Sequence, residues 1–435
     1  MSEKRKKSRV ELLKTLLIIF LFLLAVLLIG ETQVFAQFFG GKTLSSVIAS
    51  SGSRTVLPLW NEETDPHSAE AAQPIFLAVT VSAGGGHYGV KYSEAELDSV
   101  YSSAATQIGE VIGSAGAPVQ ISEGEWREAL ASQSIFVDYL HSFPISLISS
   151  WFGSEPAVSS SQHSVRRLCI SSPDGGSVRL SYIDSGSGLF YSAPTGVLFP
   201  SLSHVLQLYQ PGSARFAFEL GPVYSGCDPY SLILSYTSAP TAAALVPLSS
   251  ADVDRAVTAF SINPNTASHF TESDGTRVYV ESGCSLRISE NGILSYRNLS
   301  GEGRLRAADG SSSEDLAGMI RYSKKLVESS VGSAGGSMRI YLTDALASGG
   351  SYTFSFGCYI AGMPLLRADG LTSYVTVENG VVTSAQILLH TYTLFEQTET
   401  VLPEMQTAAM ADSGQEALLC YVEAGGSVSA RWVLQ

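Results

Sequence analysis

Histidine, cysteine and clustered carboxylates are the residue types that most often carry metal, nucleophilic or acid–base chemistry, so their spacing is read first. The seven histidines (His67, His87, His141, His163, His204, His269 and His390) never stand at ligand spacing. The five cysteines (Cys169, Cys227, Cys284, Cys358 and Cys420) show no CxxC or mixed Cys/His pattern, so a zinc site is not expected. Their odd number and wide separation favour isolated buried thiols that act as small apolar side chains. Gly84-Gly85-Gly86-His87 follows an apolar run as a phosphate loop would. It lacks both G-x-x-x-x-G-K-S/T and G-x-G-x-x-G, and the next helix starts well downstream, so it reads as a turn. HExxH, a G-x-S-x-G elbow and an S-x-x-K with K-T-G are all absent, and Gly186-Ser187-Gly188 is another turn. Asp274-Gly275 and Glu281 do not supply the alternating oxygens of a calcium loop and suit a hairpin instead. No catalytic, cofactor-binding or metal-ligating residue is assigned.

The elements that would position any site come next. Ile75 to Val81 (IFLAVTV) predicts a strand by its β-branched content. Ser93 to Glu96 and Ser122 to Glu125 both have capping-box spacing, in which a serine hydroxyl and a glutamate satisfy each other's backbone N–H groups. The first opens a helix to about Ile112, with Leu97, Val100, Tyr101, Ala104 and Ile108 on one stripe. Ser134 to Tyr139 is a strand, followed by short β-like runs at Arg167–Ser171, Val178–Ile183, Ser187–Tyr191, Arg215–Leu220 and Leu232–Tyr236, with a helix at Ser201–Leu208. Pro240 to Ser250 looks like a boundary. A helix over Val253–Phe260 then leads to strands at Thr276–Ser282, Leu286–Ser289 and Ile293–Arg297, the last two joined by Asn291-Gly292, which suits a type I′ turn. An amphipathic helix over Glu314–Ser330 leads to further strands, a second Asn-Gly hairpin at Ser373–Leu389 and a terminal strand at Val428–Leu434. Helices and strands intermix without βαβ alternation, so the expected class is α+β with antiparallel sheet. The helix-to-hairpin order occurs twice, from about 250 and from about 314, and suggests a duplication of the last two units.

Leu12 to Gly30 (LLKTLLIIFLFLLAVLLIG) is nearly all apolar and just long enough, at about 1.5 Å per residue, to cross a bilayer. Lys4, Arg5, Lys6, Lys7 and Arg9 precede it and hold that end in the cytoplasm, which places the bulk of the chain outside. The rival reading is a signal peptide cleaved after Val34-Phe35-Ala36. The first 14 residues carry +4 of the chain's net −14, leaving −18 on the remainder. So acidic a body is repelled by nucleic acid and anionic lipid. The expected layout is a cytoplasmic tail (1–11), transmembrane helix (12–30), flexible linker (31–73), N-terminal α+β ectodomain (74–240), central α+β domain (241–313) and C-terminal α+β domain (314–435).

The segment Asn263 to Arg297, NPNTASHFTESDGTRVYVESGCSLRISENGILSYR, resembles the central region of the YycH/YycI family. The likeness rests on its Asp-Gly-Thr turn, Tyr-Val-Glu and Leu-Arg-Ile strands, and an Asn-Gly turn closing on Tyr296. The Leu-Lys-Thr-Leu-Leu opening, IFVDYLHSFP at Ile135–Pro144 and ARWVL at Ala430–Leu434 are similar too. The resemblance implies one N-terminal transmembrane helix, an extracytoplasmic body of related α+β domains and no catalytic residues. It further implies that the chain regulates a WalK-type two-component sensor histidine kinase of Firmicutes, governing cell-envelope processes through helix and ectodomain contacts with that kinase and with a sister regulator. Two other classes stay open: an exported module binding peptide or glycan along a sheet edge, and a cell-envelope hydrolase with scattered catalytic residues.

Overall fold

The computed structural model describes residues 72, 74–82, 84, 86–154, 163–300, 304–307, 316–332 and 338–435. All belong to one compact unit, Asp65–Gln435. The expected tail and transmembrane helix lie outside the described residues, as does the expected linker except for Ala72, which is buried in the core. Among the described residues no helix is long and apolar enough to cross a membrane.

The first half builds a seven-stranded antiparallel sheet. Its elements are β1 (Phe76–Thr80), β2 (His87–Lys91), α1 (Glu94–Gly113), β3 (Val119–Ile121), α2 (Glu123–Ala131), β4 (Ser134–Pro144), α3 (Ile145–Trp151), β5 (Ser164–Ser171), β6 (Ser177–Asp184), β7 (Phe190–Leu198) and α4 (Phe199–Leu206). The spatial order is β2-β1-β4-β5-β6-β7-β3. Central strands of this sheet are covered on both faces, which explains their unbroken apolar runs. In β4, Ile135, Val137 and Tyr139 face the stripe of α1, while Phe136 packs on the other side with Trp126 of α2. The α1 stripe foreseen from spacing is the buried one. Its capping box is not formed: Ser93 makes no side-chain cap bond, while Glu94 and Asp98 nearby pair with Arg339. The Ser122–Glu125 box does form, with Glu125 N–H donating to Ser122 Oγ at 3.2 Å and Ser122 N–H donating to Glu125 at 2.7 Å.

A connector follows, with the two-residue strands β8 (Arg215–Phe216) and β9 (Leu232–Ile233) around short 3-10 turns at Ala217–Glu219 and Pro222–Tyr224. The expected run at Arg215–Leu220 is therefore mostly helical turn. The second half contains β10 (Ser238–Leu245), α5 (Ser250–Ala259), β11 (Ser268–Thr271), β12 (Arg277–Glu281), β13 (Cys284–Ile288), β14 (Ile293–Asn298), α6 (Leu316–Val331), β15 (Met338–Ser348), β16 (Ser351–Ile360), β17 (Met363–Arg367), β18 (Ser373–Glu378), β19 (Val381–Leu388), β20 (Thr391–Thr400), α7 (Glu404–Ala409), β21 (Ala417–Ala424) and β22 (Ser427–Leu434). These strands form one 13-stranded sheet in the order β11-β12-β13-β14-β19-β18-β16-β17-β21-β22-β10-β20, with β15 added beside β16. All ladders are antiparallel except β17 with β21. The stretch read as a boundary is thus a strand. Alanine-rich β10 has weak strand propensity, and neighbours β20 and β22 impose the conformation, with Pro240 accommodated at a bulge.

Within this sheet, α5 followed by β11–β14 mirrors α6 followed by β15, β16, β18 and β19. The last strands of the two sets, β14 and β19, pair antiparallel with Tyr296 opposite Ala385, so the two meanders meet about a local two-fold axis. The face toward α5 and α6 carries Leu286, Leu294, Tyr296, Ala385, Ile387, Val375 and Phe354, all buried with Val257, Phe260, Ile320 and Val327 of the helices. Arg255 of α5 caps α6 by donating to the Val331 carbonyl at 3.0 Å. The opposite face presents Ser285, Arg287, Ser295, Arg297, Ser384 and Gln386, none of them buried. The Asn-Gly turns close the third-to-fourth strand connection of each set. Asn379 and Gly380 both take positive φ (49° and 74°), whereas at Ser289–Gly292 only Gly292 does (76°). The first turn is therefore a four-residue loop with a left-handed glycine rather than the expected type I′.

Removing the formed cap should cost more than removing the unformed one. Ser122→Ala is expected to lower stability by about 1 kcal/mol and Ser93→Ala by less than about half that, compared by urea denaturation.

Candidate functional site

The residues singled out for their chemistry are dispersed by the fold. Gly84, at φ +67°, lies in the connection between β1 and β2, and α1 begins only after β2. Asp274 accepts from Thr276 N–H at 3.0 Å beside Gly275 (φ +82°), a hairpin turn, and Glu281 pairs with Arg304 at 2.7 Å. His163 contacts Tyr182, and His204 and His269 are exposed. His67 lies outside the described residues. The five cysteines are unbonded, with four buried and Cys358 half-buried. Burial pushes the Cys169 and Cys420 thiols up to about 12, so both are poor nucleophiles. Among the described residues no group of three or more His, Cys, Asp or Glu could hold a metal ion.

One constellation has the connectivity of a nucleophile, base and acid. Thr80 Oγ1 lies 2.6 Å from His87 Nδ1, and both Glu219 carboxylate oxygens lie 2.9 Å from His87 Nε2. A reacting carbonyl would have to reach the hydroxyl, yet Thr80 is 1% exposed and His87 fully buried. Thr80 is also 3.2 Å from the Leu130 carbonyl, and Glu219 accepts from Phe216 N–H. The three side chains lash β1, β2 and the connector together. Elsewhere, the fork where β16 exchanges β18 for β17 encloses about 50 Å³ beside Arg367, His390 and Tyr392. That is room for a few waters. These three lining residues converge on Glu423, with Arg367 at 2.9 Å, Tyr392 O–H at 2.6 Å and His390 at 3.1 Å.

The most heavily charged buried region is the seam between the two sheets. Asp138, fully buried on β4, accepts from Arg166 at 2.8 Å and from Arg167 at 2.7 Å. Both arginines reach Glu416, which immediately precedes β21, and Arg167 also pairs with Asp228 of the connector at 2.6 Å. Nearby, Lys91 of β2 pairs with fully buried Glu404 of α7 and donates to the Leu232 carbonyl, its ammonium 4.0 Å from the Phe76 ring centroid. Glu404 in turn accepts from Leu234 N–H at 2.9 Å, and Tyr92 O–H accepts from Leu419 N–H at 2.9 Å. First sheet, connector and second sheet thus share one buried ionic network. Burial pushes the Asp138 carboxyl up, but the two guanidinium groups outweigh it and hold it well below the usual carboxylate range. Burial wins at Glu404, raising its pKa against the pull of Lys91. Sequence reasoning missed these groups. The available signal was a charge inside an apolar run, Asp138 in SIFVDYL and Arg166-Arg167 before LCIS.

The crystal structure of YycH from Bacillus subtilis matches this architecture over 83% of this chain and 96% of its own, with a TM-score of 0.50 and 10% sequence identity. The fold is YycH-like. No protein-family model matches the chain, and no curated protein matches it in sequence.

Breaking the seam should be costly and pH-dependent. Arg167→Met leaves two buried carboxylates, Asp138 and Glu416, to share Arg166 alone, and is expected to cost about 3–5 kcal/mol in urea denaturation. Because the folded Asp138 pKa is depressed, its contribution is complete above the unfolded value, about 3.9, and is lost as pH falls toward the folded one. The stability gap between the unsubstituted chain and Asp138→Asn should be flat from pH 5 to 7 and shrink below pH 4.

Proposed function

We propose that this chain is a non-enzymatic, membrane-anchored, extracytoplasmic regulator of a WalK-like two-component sensor histidine kinase, acting by protein contact. The observation that carries this reading is the YycH-like fold over nearly the whole of the neighbour's length. It is supported by the sequence resemblance at Asn263–Arg297, which forms β11 to β14. The hydropathy of Leu12–Gly30 and the basic residues before it support an anchor with its N-terminus in the cytoplasm. We also read α5–β14 and α6–β19 as two copies of one unit, given their matching element order once β17 is set aside, local two-fold axis and equivalently placed Asn-Gly turns. A sister regulator of the same family is the second expected partner.

A regulator shifts a kinase only by binding one of its states better than the other. Contacts made by the helix within the bilayer and by the body outside it would each contribute to that difference. The seam gives the body the stiffness to couple the two, since a chain that flexed between its sheets would transmit little.

The test places a photocrosslinking residue at successive positions of Leu12–Gly30 in intact membranes, with mass spectrometry of the products. Kinase autophosphorylation is measured in vesicles with and without the full chain. Crosslinks to the kinase's membrane helices and a severalfold change in phosphorylation are the expected result. Recovery of the chain free in the medium beginning at Gln37, or unchanged phosphorylation, would overturn the reading. Thr80→Val should leave the regulatory effect intact, because the Thr80–His87–Glu219 set is structural here.

A further inference from the structure

We propose that the outer edge of β11 accepts an extended segment of a partner protein as an additional antiparallel strand, the segment carrying alternate aliphatic residues and a Lys or Arg at its N-terminal end. β11 is the terminal strand of the 13-stranded sheet and among the described residues pairs only with β12. Half of its backbone donors and acceptors therefore face away from the sheet, and all four of its residues, Ser268 to Thr271, are exposed. The edge strand of the mirrored meander, β15, is treated differently: it packs against β4 of the first sheet. β11 also lacks the usual protections of an open edge, with no lysine, proline or inward-facing charge.

The side chains beside the edge indicate what would dock. Phe270 lies opposite Val278, and Val280 lies diagonally from it on the same face. Phe270 is 54% and Val280 41% exposed, an apolar spot at the rim of an otherwise polar sheet face. An added strand would set its alternate side chains against this spot while its backbone completed the ladder. At the Thr271 end the chain turns through Glu272 and Asp274, and Glu290 lies against the same turn at Gly275. Arg287 pairs with Glu272, and Arg277 stands opposite Thr271, so the corner holds three carboxylates, Glu272, Asp274 and Glu290, against two guanidinium groups. All ladders from β11 to β14 are antiparallel, so the N-terminal end of an incoming strand meets this acidic corner. A basic residue there is complementary. A second copy of the chain is disfavoured, since two bodies of about −18 repel. The assignment holds whether or not the partner is a kinase.

The test uses the full chain in detergent micelles and the synthetic peptide acetyl-Lys-Val-Thr-Val-Thr-Val-amide as probe. Hydrogen exchange read residue by residue should show new protection at Ser268–Thr271. Binding should weaken roughly tenfold when the peptide's lysine is replaced by glutamate, and by at least as much in Phe270→Asp. Phe270 is exposed, so that variant should keep the parent's melting temperature. Protection that appears only elsewhere, or binding unchanged by Phe270→Asp, would overturn the proposal. So would concentration-dependent self-association of the chain that Phe270→Asp abolishes, which would make the occupant a second copy.

Discussion

Asp138 carries a charge where no water reaches, and much of the architecture follows from answering it. A lone buried carboxylate would cost several kcal/mol or take up a proton. Here two adjacent arginines of the neighbouring strand converge on it, and their excess positive charge draws in Glu416 from the second sheet and Asp228 from the connector. Residues nearly 280 positions apart in sequence are thereby fixed against each other. The apolar layers on each side set how strongly the sheets cohere. The network sets how they are registered, because a guanidinium fork accepts a carboxylate only in a narrow range of orientations.

That division of labour separates what was legible in the sequence from what was not. Periodicity revealed the α1 stripe, the two central hairpins and α6, because each is an amphipathic element whose buried face repeats along the chain. It did not reveal β10, β11, β17 or β20. Those strands exist because neighbours hold them: Ala242, Ala243 and Ala244 carry little preference of their own, and β17 leaves one pair of strands for a parallel partner 50 residues later. The Asn-Gly pairs mark where both hairpins turn, but only Asn379-Gly380 takes the two positive φ values of type I′. Ser122 formed its box. At the other cap Ser93 makes no side-chain bond, so the same spacing does not guarantee the same box.

The candidate site shows the same asymmetry. Pattern searches are built for groups close in sequence, and none of those patterns was present. The buried ionic seam joins β2, β4, β5, the connector, α7 and the residue before β21, so no spacing encodes it. The triad-like arrangement Thr80–His87–Glu219 also spans 139 positions and was equally invisible. Its burial shows why connectivity alone is a poor guide to chemistry. A base beside a hydroxyl is an active site only if a third molecule can come between them and solvent.

The cysteines carry a consequence of their own. All five stand unbonded, and the two with thiols raised to about 12 are held as neutral, unreactive groups within the packing. As poor nucleophiles packed inside the sheets, Cys169 and Cys420 are expected to exchange only slowly with a small disulfide while the body stays folded.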